Sequence, residues 1–509
     1  MTKISTIAAA LLAGAAASLS VPASAHEGHS EDQPFAPKQV GAQFMVMETT
    51  ANEAAREPFL RGLALLHNFE YDYAAEAFRA AQAADPDFVM AYWGEAMTHN
   101  HPLWEQQDYD AATAILNRLS STREARAAKA RNPMESRWLA AVETLYGDGE
   151  KEARDLEYLA AMRAMLADYP DDIDVRAFTG LAVLGSSHGG RQIALYMEAA
   201  GILEPGFMTH EMHPGILHYL IHSYDDPVHA PLGERMAQRY AVVAPDAGHA
   251  QHMISHIFHA LADWEASEKA NILADAVVDR QRTAAGRPPA DCGHYNEWLV
   301  YALLQQGEDA SDRVASCRAV ALADGREQRL YGPVWSYITM AGWQAVDTQI
   351  WPQELDESAR QFPVVRLKEA HINALRHHDD AAMLEGILAA MQADIEPLAK
   401  GLARWSPDDR TTMPWAERWV AQVAALELLA SGKETAGLEA LRAAAEAESA
   451  LPVVFGPPIM PKPSWEILGE RLLAMGREDD AAEAFRQSLE FAPGRRLSRE
   501  GLEMAQSGG

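Results

Sequence analysis

The chain has 509 residues, with 73 Asp and Glu against 43 Lys and Arg and a formal net charge of −30 at pH 7. So acidic a surface argues against nucleic acid and anionic membranes as partners, and it favours cations and basic ligands. Two cysteines, Cys292 and Cys317, are too few for a thiolate metal site; in an oxidising compartment they can close one loop worth about 3 kcal/mol.

Residues 1–25 read as a signal peptide, with Lys3 in the basic head, an apolar run from Ile7 to Leu19, and Ala23-Ser24-Ala25 before the expected cut. The run is too short to cross a bilayer, and no later stretch is long and apolar enough. The expectation is therefore an exported chain, periplasmic or secreted, with no membrane span. Residues 26–44 form a polar leader; its His26 can chelate copper, although a flexible tail is the simpler reading.

Beyond the leader, strand signals nearly vanish and alanine-rich segments with 3.6-residue apolar spacing recur, which predicts helices throughout. Near the C-terminus the pattern is Trp465-x2-Leu468-Gly469-x2-Leu472, then Ala481-x3-Phe485-x2-Ser488 and Pro493. This resembles the tetratricopeptide (TPR) signature, with Ser488 in place of one small Ala. A second copy runs from Gly62 through Ala74, Phe78 and Ala81 to Asp85-Pro86, and a third ends at Ala244-Pro245. Small residues let paired helices approach, aromatics fill the gap, and proline stops the second helix.

The predicted fold class is all-α, a TPR-like right-handed solenoid of roughly a dozen helix pairs. Residues 45–120 are N-terminal repeats, and 121–330 an irregular solenoid with a His-rich concave groove. Residues 331–463 are divergent helical repeats with a Pro-rich loop, and 464–509 a C-terminal repeat with a capping helix. Irregularities include the turn Gly185-Ser-Ser-His188-Gly-Gly190 and the loops Trp405–Pro414 and Leu451–Pro463. The second loop is too apolar for a free linker and is expected to pack on the solenoid or line its groove.

Histidine carries the functional signal. Nine of the 19 histidines fall between His210 and His259, and four pairs are 34 residues apart: His67/His101, His188/His222, His218/His252 and His222/His256. Thirty-four is the TPR period, so one structural position recurs as imidazole. In the TPR register His249, His252, His256 and His259 take positions 2, 5, 9 and 12 of a first helix, within an arc of about 80°. His218 and His222 take positions 5 and 9 one repeat earlier. His67 and His101 both fall at position 13, and His294 opens a later helix near position 2. In the TPR family these positions face the concave groove.

Stacked His-x3-His pairs on neighbouring helices can converge on one ion, so His218, His222, His252 and His256 are the candidate ligands. All-nitrogen ligation suits zinc, copper, iron or nickel. His67, His101, His188, His213, Asp225, His229, His249, His259 and His294 are candidates for further ligands or groove residues. Glu211, Asp225, Asp226 and Glu297 are candidate bases, and Arg191 a candidate anion clamp. None of these sits in a spacing that names a reaction, so catalysis is left open. No P-loop or dinucleotide fingerprint occurs, so no nucleotide cofactor is expected.

Further blocks are Gly62-Leu-Ala-Leu-Leu-His67, Ala91-Tyr-Trp-Gly94, His101-Pro-Leu-Trp104, His213-Pro-Gly-Ile-Leu-His218, Asp225-Asp-Pro-Val-His-Ala-Pro231 and Ser255-His-Ile-Phe258. With Phe455-Gly-Pro-Pro458 and Lys462-Pro-Ser-Trp-Glu-Ile-Leu-Gly-Glu470, they resemble the large exported bacterial TPR proteins that share such His-containing helices. The resemblance implies fold and export, and no activity; the metal expectation rests on residue spacing. The alternative is a metal-free scaffold whose groove holds a peptide, a small molecule or a protein partner, as TPR arrays often do. A surface whose histidines charge near pH 6.5 is a third reading.

Overall fold

The computed structural model describes residues 37–323, 332–405, 409–452, 454 and 456–507. The signal peptide with its cut after Ala25, most of the leader, and Phe455 lie outside them. Among the described residues the chain forms 23 α-helices and two antiparallel two-residue strands, Asn100–His101 and Gln106–Gln107. The architecture is an all-α, TPR-like solenoid in which each helix packs mainly on its neighbours in sequence.

The pairing follows the signature residues. A Cβ on Gly62 would lie 2.9 Å from the Phe78 ring, and one on Gly469 would lie 2.8 Å from the Phe485 ring. Only a bare backbone lets the first helix of each pair come that close to the aromatic of the second. Helix Tyr71–Ala84 stops just before Asp85-Pro86, and helix Ala230–Val243 just before Ala244-Pro245, because the residue before proline is disfavoured in helical geometry.

The hydrophobic interior forms two packed bodies, one spanning Val40 to Ala270 and the other Trp264 to Ala505. They meet at the long helix Trp264–Ala284. Three helices around this junction carry the histidines: a first, Pro214–Tyr224, a second, Gly248–Ala260, and a third, His294–Gln306. The first two begin 34 residues apart, as the period requires. Pro214 opens the first helix, where its missing N–H costs nothing, and His213 accepts from the Ile216 N–H as the cap. The third begins late because helix Trp264–Ala284 runs to 21 residues and an irregular loop follows it. Cys292 in that loop is disulfide-bonded to Cys317, in helix Ser311–Ala323.

The Pro-rich loop lies against the solenoid, as its apolar composition predicts. Gly456 has φ +100° and passes so close to Trp298 that a Cβ would sit 2.0 Å from the indole. Trp343 Nε1 donates to the Pro458 carbonyl at 3.0 Å, fixing the loop on the other side.

Candidate metal centre

The three histidine helices bring six imidazoles together in two sets of three. Ligand atoms of His218, His222 and His249 lie within 4.8 Å of one another, and so do those of His252, His256 and His294. The grouping differs from the expected set of His218, His222, His252 and His256: those four are split between two neighbouring clusters, each completed by a residue at position 2 of the following repeat. The sets adjoin, with ring centroids 5.8 Å apart for His222 and His256 and 6.3 Å apart for His249 and His252.

The expected open groove is a covered interior at this point. His218 and His252 are fully buried and the other imidazoles of the two sets are at most 7% exposed, apart from His294. His294 is exposed at the rim, yet the protein around it still pushes its pKa down to about 3. Two aromatic side chains roof the sets. Phe69 stands 4.4 Å from His218 and 5.5 Å from His249; Trp298 stacks on His256 at 4.3 Å and stands 4.8 Å from His252. Phe69 has φ +57°, a left-handed conformation that costs a bulky residue roughly 1–2 kcal/mol. The turn is held from both sides. Asn68 donates to the Val40 carbonyl at 2.8 Å and accepts from Tyr240 Oη at 2.8 Å. Glu70 accepts from the His249 N–H at 3.2 Å, at the start of the second helix.

Hydrogen bonds fix the tautomers. His218 Nδ1 donates to the His67 carbonyl at 2.6 Å. His252 Nδ1 donates to Asn271 Oδ1 at 2.7 Å, and the Asn271 amide nitrogen donates to the Ser267 carbonyl at 2.8 Å, which orients the amide. His256 Nδ1 donates to Asp225 Oδ2 at 3.0 Å. In the neutral rings Nε2 is therefore the unprotonated nitrogen. His252 and His256 point these Nε2 atoms at each other across 3.2 Å, and His218 and His249 make a second Nε2–Nε2 contact of 3.2 Å. Facing lone pairs, as on His252 and His256, repel, whereas a cation between them turns the contact attractive. Two imidazoles bound at about 2.0–2.1 Å to one tetrahedral ion would place their nitrogens about 3.3 Å apart.

Burial is the main force on the ring pKa values. It drives His218 and His252 well below 6.5 and lowers His222, with neighbouring imidazoles adding to the effect in each case. Neutral imidazole is the form that binds a metal.

Asp225 stands between the sets. Its Oδ2 lies 3.0 Å from His256 Nδ1 and 3.6 Å from His222 Nδ1. Burial alone would raise this carboxyl, but Arg191 and the two histidines together hold it well below the usual range. Arg191 pairs with Asp225 and, at 3.0 Å, with Asp226. The expected anion clamp is thus engaged by two carboxylates, and it anchors Asp225.

The remaining candidates lie elsewhere. His67 and His213 form a third cluster, both directing Nε2 to Asp174 Oδ1, at 3.2 and 3.3 Å. His67 Nδ1 accepts from Tyr219 Oη at 2.9 Å. His101 was expected on a helix; helix Val89–Met97 ends before it, and it donates from Nε2 to the Thr98 carbonyl while stacking on Tyr71 at 4.0 Å. His188 pairs with Asp155 at 3.0 Å and His229 with Asp226 at 2.9 Å. His259 lies beyond Trp298, 5.0 Å from it. Of the candidate bases, Glu211 pairs with Arg239 at the surface, and Glu297 is influenced by the buried Lys368 and Ser336.

Sequence reasoning missed Phe69, Trp298 and Asn271. Phe69 reaches the site from a distant segment and Asn271 from the next helix, while Trp298 sits four residues after His294 on the third histidine helix, a spacing that could have signalled it. The completing residues His249 and His294 were signalled by their shared position 2.

No known family profile matches the chain, and no curated protein matches it. Solved structures similar to it include human IFIT1 as a dimer with m7Gppp-AAAA, at 10% identity over 90% of this chain and 96% of that one, with a TM-score of 0.32. Yeast Tom70 matches at 12% identity over 90% of this chain and 89% of that one, with a TM-score of 0.32. The TPR domain of P58(IPK) matches at 14% identity over 89% and 97%, with a TM-score of 0.21. Among the described residues no helix is long and apolar enough to cross a membrane.

Proposed function

We propose that this TPR-like protein is a transition-metal-binding protein, with the ion held by buried imidazoles at the junction of its two packed bodies. The observation that carries this is the His252–His256 pair. Both Nδ1 atoms are committed to acceptors, and the two Nε2 atoms face each other at 3.2 Å. A proton shared between them would put a charge in an interior that opposes it, as the lowered pKa of His252 indicates. A metal ion supplies the missing positive centre with stronger bonds. All-imidazole ligation suits zinc, copper, nickel or iron rather than magnesium or calcium. A three-histidine set also leaves one coordination position open to water or a substrate, the pattern of reactive rather than structural zinc sites.

Export fits this reading. Residues 1–25 have the pattern of a signal peptide, and the Cys292–Cys317 bond accords with an oxidising compartment.

The test is elemental analysis of full-length protein, exported with its leader and purified without a His-tag or metal column, beside a His252→Ala, His256→Ala variant. One or more equivalents of a transition metal, reduced in the variant, is the expected result. A metal-free protein that also takes up neither added zinc nor added copper would overturn the proposal.

A further inference from the structure

The two histidine sets are the same set, one repeat apart. His218 and His222 at positions 5 and 9 are completed by His249 at position 2 of the next repeat. His252 and His256 at positions 5 and 9 are completed by His294, which opens the helix after the insertion. Each set has its own close Nε2–Nε2 contact, His218–His249 in one and His252–His256 in the other, and its own aromatic roof, Phe69 in one case and Trp298 in the other. The rings across the boundary are 5.8 and 6.3 Å apart, against 4.6 to 5.0 Å for the rings quoted within a set. Six imidazoles exceed the four ligands such ions usually take, so the two sets suit two ions, although His222 and His256 also approach across the boundary, with Asp225, to within 4.8 Å.

Asp225 breaks the symmetry in an informative way. The equivalent residue one repeat later is His259, so a single carboxylate serves the junction. Its Oδ2 takes the Nδ1 side of His256, from one set, and faces Nδ1 of His222, from the other. His256 thereby keeps Nε2 for its own set. A carboxylate behind a ligating histidine orients the ring and raises its basicity; here one carboxylate, pinned by Arg191, stands behind a ligand of each set.

Resting on the metal reading above, we propose that the centre is dinuclear: one imidazole-preferring transition ion in each three-histidine set, with Asp225 as the positioning residue common to both. The exposed edge of His294 marks the side from which ions enter.

The experiment is titration of chelator-treated full-length protein with Co2+, followed by its visible bands, and with Cu2+, followed by electron paramagnetic resonance. The wild type takes up two equivalents, and the doubly loaded Cu2+ form shows a spectrum broadened by a nearby second spin. His249→Ala and His294→Ala each keep one equivalent, with an unbroadened spectrum. Asp225→Asn keeps both equivalents and weakens both by about tenfold or more, an outcome that simple loss of packing would not give. Circular dichroism checks that each variant is folded, and His294→Ala, at the rim, is the variant least exposed to that risk. A single equivalent in the wild type, abolished by either histidine variant, would overturn the dinuclear centre and leave the metal reading standing. No uptake of either ion would overturn both. An Asp225→Asn variant that weakens only one equivalent would overturn the shared role of Asp225.

Discussion

Two histidine clusters in this protein are buried alike, save for His294 at the rim of one, and are chemically opposite. In the His67–Asp174–His213 cluster, His213 spends Nδ1 as acceptor for the Ile216 N–H and His67 spends its own on Tyr219 Oη. Each then carries its proton on Nε2, and both protons go to the Asp174 carboxylate. In the six-histidine centre the arrangement is reversed. Asn271 and Asp225 hold protons on Nδ1 of His252 and His256, and the bare Nε2 atoms face each other. Burial and residue type are nearly the same; what differs is which nitrogen the surrounding acceptors claim. In the first arrangement protein groups engage all four ring nitrogens, whereas the second is the one that the proposed cation would complete.

The strongest way to break this comparison is Asp174→Ala, which leaves two buried N–H donors without their acceptor. It is expected to cost roughly 2–5 kcal/mol in urea denaturation while leaving the metal content unchanged. A loss of metal would place an ion in the closed cluster instead.

Next comes Glu70, whose carboxyl burial raises from 4.5 to about 7. Between those values the native state holds a proton that the unfolded state has released, so stability falls as pH rises through this window and levels off above about 7. The full effect is at most about 3 kcal/mol. In chelator-treated protein, Glu70→Gln should flatten this part of the difference in urea midpoint between pH 4.5 and pH 8. An unchanged pH slope would show that Glu70 is not the titrating group.

Metal removal should be felt at only one of the two clusters. An ion at a free concentration 100 times its Kd stabilises the native state by about 2.7 kcal/mol, so a chelator should lower Tm by a few degrees. That sensitivity should persist in Asp174→Ala and disappear in the His252→Ala, His256→Ala variant, measured by calorimetry with and without chelator. Smallest of all is His188→Ala. This histidine belongs to neither cluster, and Lys151 still engages Asp155 when it is removed, so the cost is expected to be about 1 kcal/mol. Metal stoichiometry should not change.

The fold was legible because its signals are local. The 34-residue period placed the starts of both central histidine helices, and Gly62 with Phe78 and Gly469 with Phe485 meet as the signature requires. The helical wheel put His249, His252, His256 and His259 on one face, and all four are buried. It could not assign partners across helices, because that depends on how far one helix is shifted along its neighbour. Hence His249 joined His218 and His222, where the sequence reading had placed His252 and His256. His101 was misplaced for a related reason: its helix ends at Met97, before the expected position is reached. Covering of the groove was legible only in part: the apolar loop with Gly456 was expected to pack there, whereas Phe69 arrives from a remote part of the chain with no signal.

The roof over the six histidines also dictates when the centre can exist. A solenoid assembles from contacts between neighbours and can begin anywhere along its length, but Phe69 comes from the first helical turns and Gly456 from near the last. Closing both onto the junction joins segments far apart in the chain, and such contacts form late. A nascent chain would therefore pass through a stage with its repeats built and Trp298 still uncovered. Ions would load through that temporary opening, and the arrival of the proline-rich segment would then slow their escape.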